Sequence, residues 1–460
     1  MPGTGRPDQT TSPALPQRAT VSATLAANEA LARKRREGIP VLPLAFGEAG
    51  LPVHPALGRE LAASVEHNEY GPVAGAPVLR TAAAGYWSRR GLPTDPGLLV
   101  CGPGSKALLF GLSLTLGGDV AMSRPSWVSY AAQAGLAGAG AVLVPTRPGE
   151  GGVPDPALLA DEVVRARAEG RDLRSVVVTI PDNPTGTMAR PETVRDLCAV
   201  AREYGLVIIS DEIYRDLVHA PDRVVPTPAA FAPERTVVTT ALSKNLALGG
   251  WRLGVARLPD SPFGHALRDE LLGVVSEIWS SAPAPIQHAA AFAFTEPPEL
   301  VEHIARSRRL HAGVAAAVAE CFAEAGASVP PPEAAFYVYP DLEPLRERLE
   351  AGHRVRTGAD LSALLLDGYG VGVLAGSAFG EPADALRLRV ATSLLYGETD
   401  EERLTALHSP DPASLPWISA ALDRLREVLS DITATAPGPA AVTPAVARPR
   451  PGAVPGVATA

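Results

Sequence analysis

Lys244 stands in the run Thr239-Thr240-Ala241-Leu242-Ser243-Lys244-Asn245, directly after a β-rich stretch, and Arg252 follows eight residues later in a glycine-flanked turn. A primary amine condenses with an aldehyde to an imine, and a guanidinium grips phosphate through forked hydrogen bonds. Alone, a Ser-Lys pair is an ordinary surface charge; its meaning depends on what stands elsewhere in the chain. Asn183 lies in Pro181-Asp182-Asn183-Pro184-Thr185-Gly186, after a strand ending at Ile180. The run reads as a turn, and its amide can also hydrogen-bond a hydroxyl. Asp211-Glu212-Ile213-Tyr214 follows a strand ending at Ser210. Asp211 suits a helix cap, and equally a carboxylate that keeps a ring nitrogen protonated, with Tyr214 meeting the same oxygen as Asn183. Gly102-Pro103-Gly104-Ser105-Lys106 joins a strand to a helix start, where backbone N–H groups can hold a phosphate. Trp127, at another strand end, is either core packing or a stacking face for a flat ring.

These residues need a frame that collects strand ends. Short β-rich runs occur at Leu98–Cys101, Val120–Met122, Ala141–Val144, Val176–Ile180, Leu206–Ser210, Val237–Thr240 and Leu253–Ala256. Helical segments such as Ala157–Glu169 and Pro191–Tyr204 separate many of them. Apolar runs alternating with helices predict an α/β fold with a mostly parallel sheet covered by helices on both faces, and such sheets bind ligands at the carboxyl ends of their strands. After about Glu296 a long helix and short strands predict a smaller α+β domain, which the segment before Tyr70 joins, so that it is built from both chain ends. The expected division is a disordered terminus at 1–17, an arm and part of the small domain at 18–69, a large domain at 70–296, the rest of the small domain at 297–432, and a disordered Pro/Ala tail at 433–460.

The 460 residues are 46% hydrophobic and 20% charged, with a formal net charge of −9, enough for a large core and without a basic run suited to nucleic acid. No apolar stretch reaches membrane-spanning length, and the opening MPGTGRPDQTTSP lacks the apolar block of a secretory signal. Cys101, Cys198 and Cys321 are far apart and not in metal spacing, so no disulfide framework or metal site is expected, and a reducing cytoplasm is the expected home.

From about Leu44 to Leu429 the chain resembles fold-type I pyridoxal-phosphate (PLP) enzymes, specifically the class I/II aminotransferases. The matching segments run in the family's order: Gly47 in LAFGEAG, Tyr70 in YGPVAGAPVLR, GPGSKALL, PSW, PDNPTG, DEIY, SKNLALGGWRLG, AAFYVYP and LRLRVATS. The resemblance implies that Lys244 holds the cofactor as a Schiff base and later shuttles a proton. Asp211 would pair with the pyridine nitrogen, Asn183 and Tyr214 would bind the 3-hydroxyl oxygen, and Trp127 would stack on the ring. Arg252 with the Gly104-Ser105-Lys106 turn would bind the phosphate, and Tyr70 would reach the phosphate of a second subunit in a homodimer. Arg387 would clamp the substrate α-carboxylate, helped by the backbone at Gly47; Asn183 and Trp127 would also touch substrate.

Three departures matter. Ala241 replaces a hydroxyl residue that usually contacts phosphate, leaving Ser243, Ser105 or Ser280 to substitute. Arg387 and Arg389 lie two apart on a predicted strand and share a face; the pattern R-L-x-x-A-x-S puts Arg387 in the site, while Arg389 lies beside it, contacts a second substrate group or, as the leading reading, joins a surface ion pair. Lys106 resembles a lysine that assists acidic substrates in some aspartate aminotransferases, whereas Phe46, Tyr337 and Phe379 as pocket walls suit aromatic or aliphatic ones. The leading expectation is ping-pong transamination between an L-amino acid and a 2-oxo acid. The same first step also serves PLP-dependent lyases, oxidases and cyclases of specialised biosynthesis. A PLP-sensing regulator needs a DNA-binding domain ahead of the fold, and the roughly 40 residues before Gly47 are too few.

Overall fold

The structure, a computed structural model, describes residues 21–434. The terminus expected to be disordered at 1–17 lies outside those residues, as does the tail expected from 433 onward except Thr433, which closes the last helix, Pro416–Thr433, and Ala434.

Among the described residues, twelve strands form three sheets: β1 (Leu42–Pro43), β2 (Leu99–Gly102), β3 (Asp119–Arg124), β4 (Ala141–Pro145), β5 (Leu173–Thr179), β6 (Val207–Asp211), β7 (Thr236–Ala241), β8 (Gly254–Arg257), β9 (Tyr337–Val338), β10 (Val371–Gly372), β11 (Leu374–Ala375) and β12 (Leu388–Ala391). The large sheet has the order β2-β8-β7-β6-β5-β3-β4. β8 runs antiparallel to both its neighbours, and the remaining pairs are parallel. The central strands β6 and β7 are buried along their whole length, because Val-Ile-Ile and Val-Val runs have apolar side chains for both covered faces. Helices Pro156–Ala168 and Pro191–Tyr204 pack one face through Leu159, Val163, Val194 and Leu197, and helices Ser105–Leu116 and Pro262–Ile278 pack the other through Leu108, Leu112, Leu271 and Val275.

Register aligns the chemistry. Thr179 at the end of β5 pairs with Asp211 at the end of β6, which pairs with Thr239 on β7. Three polar side chains thus emerge abreast at the carboxyl edge of the sheet, where the chain leaves each strand for a loop.

The smaller sheets draw on both ends of the chain. β1 pairs with β10 in parallel, and β11-β12-β9 is antiparallel. Their core joins Leu42 and Leu44 to Val371, Leu388, Val390 and the last helix through Leu422, Leu425 and Leu429. The helix Pro298–Glu324, of 27 residues, carries the chain from the large sheet's side into this core through Leu310, Val314 and Val318. Among the described residues no helix is long and apolar enough to cross a membrane.

Candidate active site

One cavity, of about 480 Å³, opens at the carboxyl edge of the large sheet where the smaller sheets face it. Lys244, Asp211, Tyr214, Asn183, Trp127, Ser105, Lys106, Arg252 and Gly47 all line it. Lys244 and Asp211, 33 positions apart in sequence, thus share one cleft because β6 and β7 are hydrogen-bonded neighbours.

Asp211 is held at the floor. Its Oδ2 accepts from the Tyr130 hydroxyl at 2.9 Å and its Oδ1 from Thr239 Oγ1 at 3.1 Å. Burial pushes its carboxyl up to about 6, against those hydrogen bonds, which favour the anion. A cation placed beside it would relieve that cost. Tyr130 bonds Thr179 as well, at 2.8 Å, so the three strand ends are tied together under the site.

Lys244 sits on a helix of only four residues, Leu242–Asn245, which has no side-chain cap. The neighbouring Asn245 anchors it by donating to Asp216 at 2.8 Å; Asp216 in turn meets Arg90 and the Tyr86 hydroxyl. Lys244 Nζ donates to the Gly47 carbonyl at 2.5 Å. Burial, and then the nearby Arg389 guanidinium, push its amine down to about 8. A lysine so depressed is neutral in about one molecule in ten at pH 7, far more often than a free lysine, and the neutral form is the nucleophile. Gly47 must be glycine here, since a methyl on it would stand 2.4 Å from the Tyr337 hydroxyl.

At the other end, Gly104 caps helix Ser105–Leu116 with φ +87°, a conformation that favours glycine. A methyl there would stand 2.3 Å from Arg252 Nη2. Arg252 donates to the Gly249 carbonyl at 2.8 Å and the Pro103 carbonyl at 3.2 Å, so a guanidinium and a helix N-terminus converge on one spot. Ser105 and Ser243 line the cavity; Ala241 is buried behind it, and Ser280 bonds the Ser276 carbonyl outside it. Lys106 lies with Nζ 5.0 Å from the Trp127 ring centroid, and burial with the Arg252 charge holds its amine below the usual lysine value.

The structure places the two arginines the other way round from the leading expectation. Arg387, assigned to the site from its sequence pattern, precedes β12, is 40% exposed, and pairs with Asp341 at 2.9 Å and Glu381 at 2.8 Å. Arg389 lines the cavity at 1% exposure, donating to Asn183 Oδ1 at 3.3 Å and to the Ala45 carbonyl. Two residues along an extended chain move the side chain by roughly 6–7 Å, here from the rim to the interior. Arg389 Nε is buried with no partner among the described residues, a donor waiting for an acceptor.

Tyr70 is 94% exposed and takes no part in its own chain's cleft. Phe46 and Tyr337 do line it; Phe379 instead packs under Arg389, 5.0 Å from ring centroid to guanidinium carbon. Sequence reading missed Ser22, Thr24 and Leu25, at the start of helix Ala23–Arg36, which form a wall of the cavity. The only signal was a serine before a helical stretch, common to many helix starts.

Residues 41–400 match the family described as aminotransferase class I and II. The chain is 32% identical over 341 residues to a probable aspartate/prephenate aminotransferase of Thermus aquaticus, covering 73% of this chain and 86% of that one. It is 31% identical over 394 residues to an aspartate aminotransferase of Geobacillus stearothermophilus, covering 84% and 95%. The structure of Thermus thermophilus aspartate aminotransferase with maleate superposes with a TM-score of 0.75 at 26% identity, over 90% of this chain and 100% of that one.

Proposed function

The chain belongs to the class I and II aminotransferases, and on that premise we propose that it moves the amino group between an acidic L-amino acid and a 2-oxo acid, with pyridoxal 5'-phosphate as cofactor. When bound, the cofactor supplies an aldehyde that takes up amines and a ring that accepts the electrons of a substrate carbanion. The residues present fit it. Lys244 would hold its aldehyde carbon, Asp211 its pyridine nitrogen, Asn183 and Tyr214 its ring oxygen, and Trp127 its face. Arg252 and the helix start at Ser105 would hold its phosphate. Asp211, a buried carboxylate without a cationic partner among the described residues, would gain one from a protonated ring nitrogen.

One observation supports the acidic substrate. Arg252, Arg389 and Lys106 all line the cleft, and none is ion-paired to a carboxylate among the described residues. Three cationic positions suit three anionic groups: phosphate, α-carboxylate and a side-chain carboxylate. Arg389 would take the α-carboxylate with the aid of Asn183. Lys106, with the hydroxyls of Ser22 and Thr24, which line the same cavity, would take the third; Thr24 Oγ1 is buried and unpartnered among the described residues. Several relatives are named for aspartate, which agrees. Freed Lys244 Nζ would carry the proton away from the substrate α-carbon, and the apolar walls from Phe46 and Leu25 would keep water from that step.

Tyr70, exposed on its own chain, is assigned to the cleft of a second copy; a sedimentation mass of one 47.7 kDa chain would rule this out. The substrate reading is tested by offering L-aspartate, L-glutamate, L-phenylalanine and L-leucine to the PLP-loaded enzyme, with oxaloacetate, 2-oxoglutarate and pyruvate as acceptors. The acidic donors should have the highest kcat/KM, and Lys106→Ala should erase that preference by about tenfold or more while sparing the apolar donors. Donors consumed with no 2-oxo acid accepted would show a lyase or oxidase instead.

A further inference from the structure

The ring hydroxyls of Tyr214 and Tyr337 lie 2.8 Å apart in the cleft, and nothing above uses the second of them. A phenol has one proton to give and two lone pairs to receive. Asn183 fixes one of those bonds. Its Oδ1 accepts from Arg389 Nη1 at 3.3 Å, which turns Nδ2 toward the Tyr214 oxygen at 3.4 Å, and an amide NH2 can only donate. The single Tyr214 proton therefore goes either to Tyr337 or to a ligand oxygen. If it goes to the ligand, Tyr337 must be the donor to Tyr214.

We infer that Tyr337 is a positioning residue that points the Tyr214 proton at the cofactor's ring oxygen and thereby lowers the proton affinity of the nitrogen through which Lys244 holds the cofactor. The inference rests on the cofactor reading above. The Arg389 guanidinium lies 5.2 Å from the Tyr337 ring centroid and makes Tyr337 the readier donor. Lys244 faces the same space, while the carboxylates of Asp182 and Asp211 oppose release of a phenolic proton. Tyr337 is itself rigid: it is 1% exposed and edge-on to Tyr214 at 5.6 Å between centroids. A hydroxyl that accepts two hydrogen bonds is a stronger donor for its own. A stronger donor on the ring oxygen spreads the negative charge there, so the neighbouring nitrogen binds its proton less tightly.

The test is the pH midpoint of the visible absorbance of the PLP-loaded enzyme without substrate. Tyr337→Phe keeps the ring under Arg389 and removes only the hydroxyl; the midpoint should rise by about half a unit. Site-specific 3-fluorotyrosine at 337, a stronger acid of nearly the same shape, should move it the other way. In a Tyr214→Phe background the change at 337 should have no further effect, the mark of action through Tyr214. An unchanged or lower midpoint in Tyr337→Phe, with the fluorotyrosine protein also unmoved or raised, overturns the inference; so do shifts that simply add in the double variant. Should the wild-type chain form no visible band with PLP, or one that survives Lys244→Ala, the cofactor reading itself has failed, and this inference with it.

Discussion

Arg389 reaches the cleft with a nitrogen that nothing among the described residues satisfies, whereas Arg387 is already held by two carboxylates. Truncating the first should remove a charge-assisted, bidentate hold on the substrate carboxylate, an interaction of about 2–4 kcal/mol. Arg389→Ala is therefore expected to raise the KM for the amino acid by about 30-fold to 10³-fold, by that same arithmetic, with PLP still bound. Arg387→Ala should leave KM within about threefold and cost some stability, since Asp341 and the buried Glu381 lose their partner. Steady-state kinetics of the two variants side by side decide the matter, and the opposite ranking would return Arg387 to the site.

At the scale of elements, the residues best marked in the sequence were those whose place follows from topology alone. Asp211, Asn183 and Lys244 each follow an apolar run, and adjacent parallel strands must bring such ends together. Alternation along β12 gave Arg387 and Arg389 the same face but not their depth, which depends on where the rim of the small core falls. Ser22 and Thr24 were illegible because a wall made by one helix start, some 80 residues from Lys106 in sequence, leaves no local pattern. The Tyr214–Tyr337 contact likewise joins the loop after β6 to β9, 123 positions apart in sequence. Among the legible turns, Gly104 carries the most risk. Gly104→Ala would strain a backbone at φ +87° and push Arg252 aside, so the PLP dissociation constant should rise about tenfold or more. Titration of the apoprotein with PLP reads this directly; wild-type affinity would mean that Arg252 does not need its present place.

For the whole molecule, the site is a liability until it is loaded. The Asp211 carboxyl is raised from 3.8 to about 6, so between roughly pH 4 and 6 the folded chain holds a proton that the unfolded chain has released. Its contribution is present at low pH and is lost as pH rises through 6. Lys244, lowered from 10.5 to about 8, penalises the folded state below 8 and releases that penalty between about 8 and 10.5. Asp211→Asn should accordingly stabilise the cofactor-free protein at pH 7 by about 2–3 kcal/mol, and much less at pH 4. It should also gain less than wild type in melting temperature when PLP is added. Thermal melts at both pH values, with and without PLP, check this; an asparagine variant no more stable than wild type at pH 7 would contradict a buried, costly anion.

Helix Ala23–Arg36 begins with Ser22 and Thr24 in the wall of the cleft, so its first turn borders the space that substrate would fill. The last helix, Pro416–Thr433, instead packs into the small core through Leu422 and Leu425. In a chain shortened to residues 21–434, a tag joined directly to Val21 would therefore sit beside the cleft, and one joined directly to Ala434 would follow a helix packed in the small core. Preparations tagged at the two ends should differ in apparent substrate affinity while sharing the same heat tolerance.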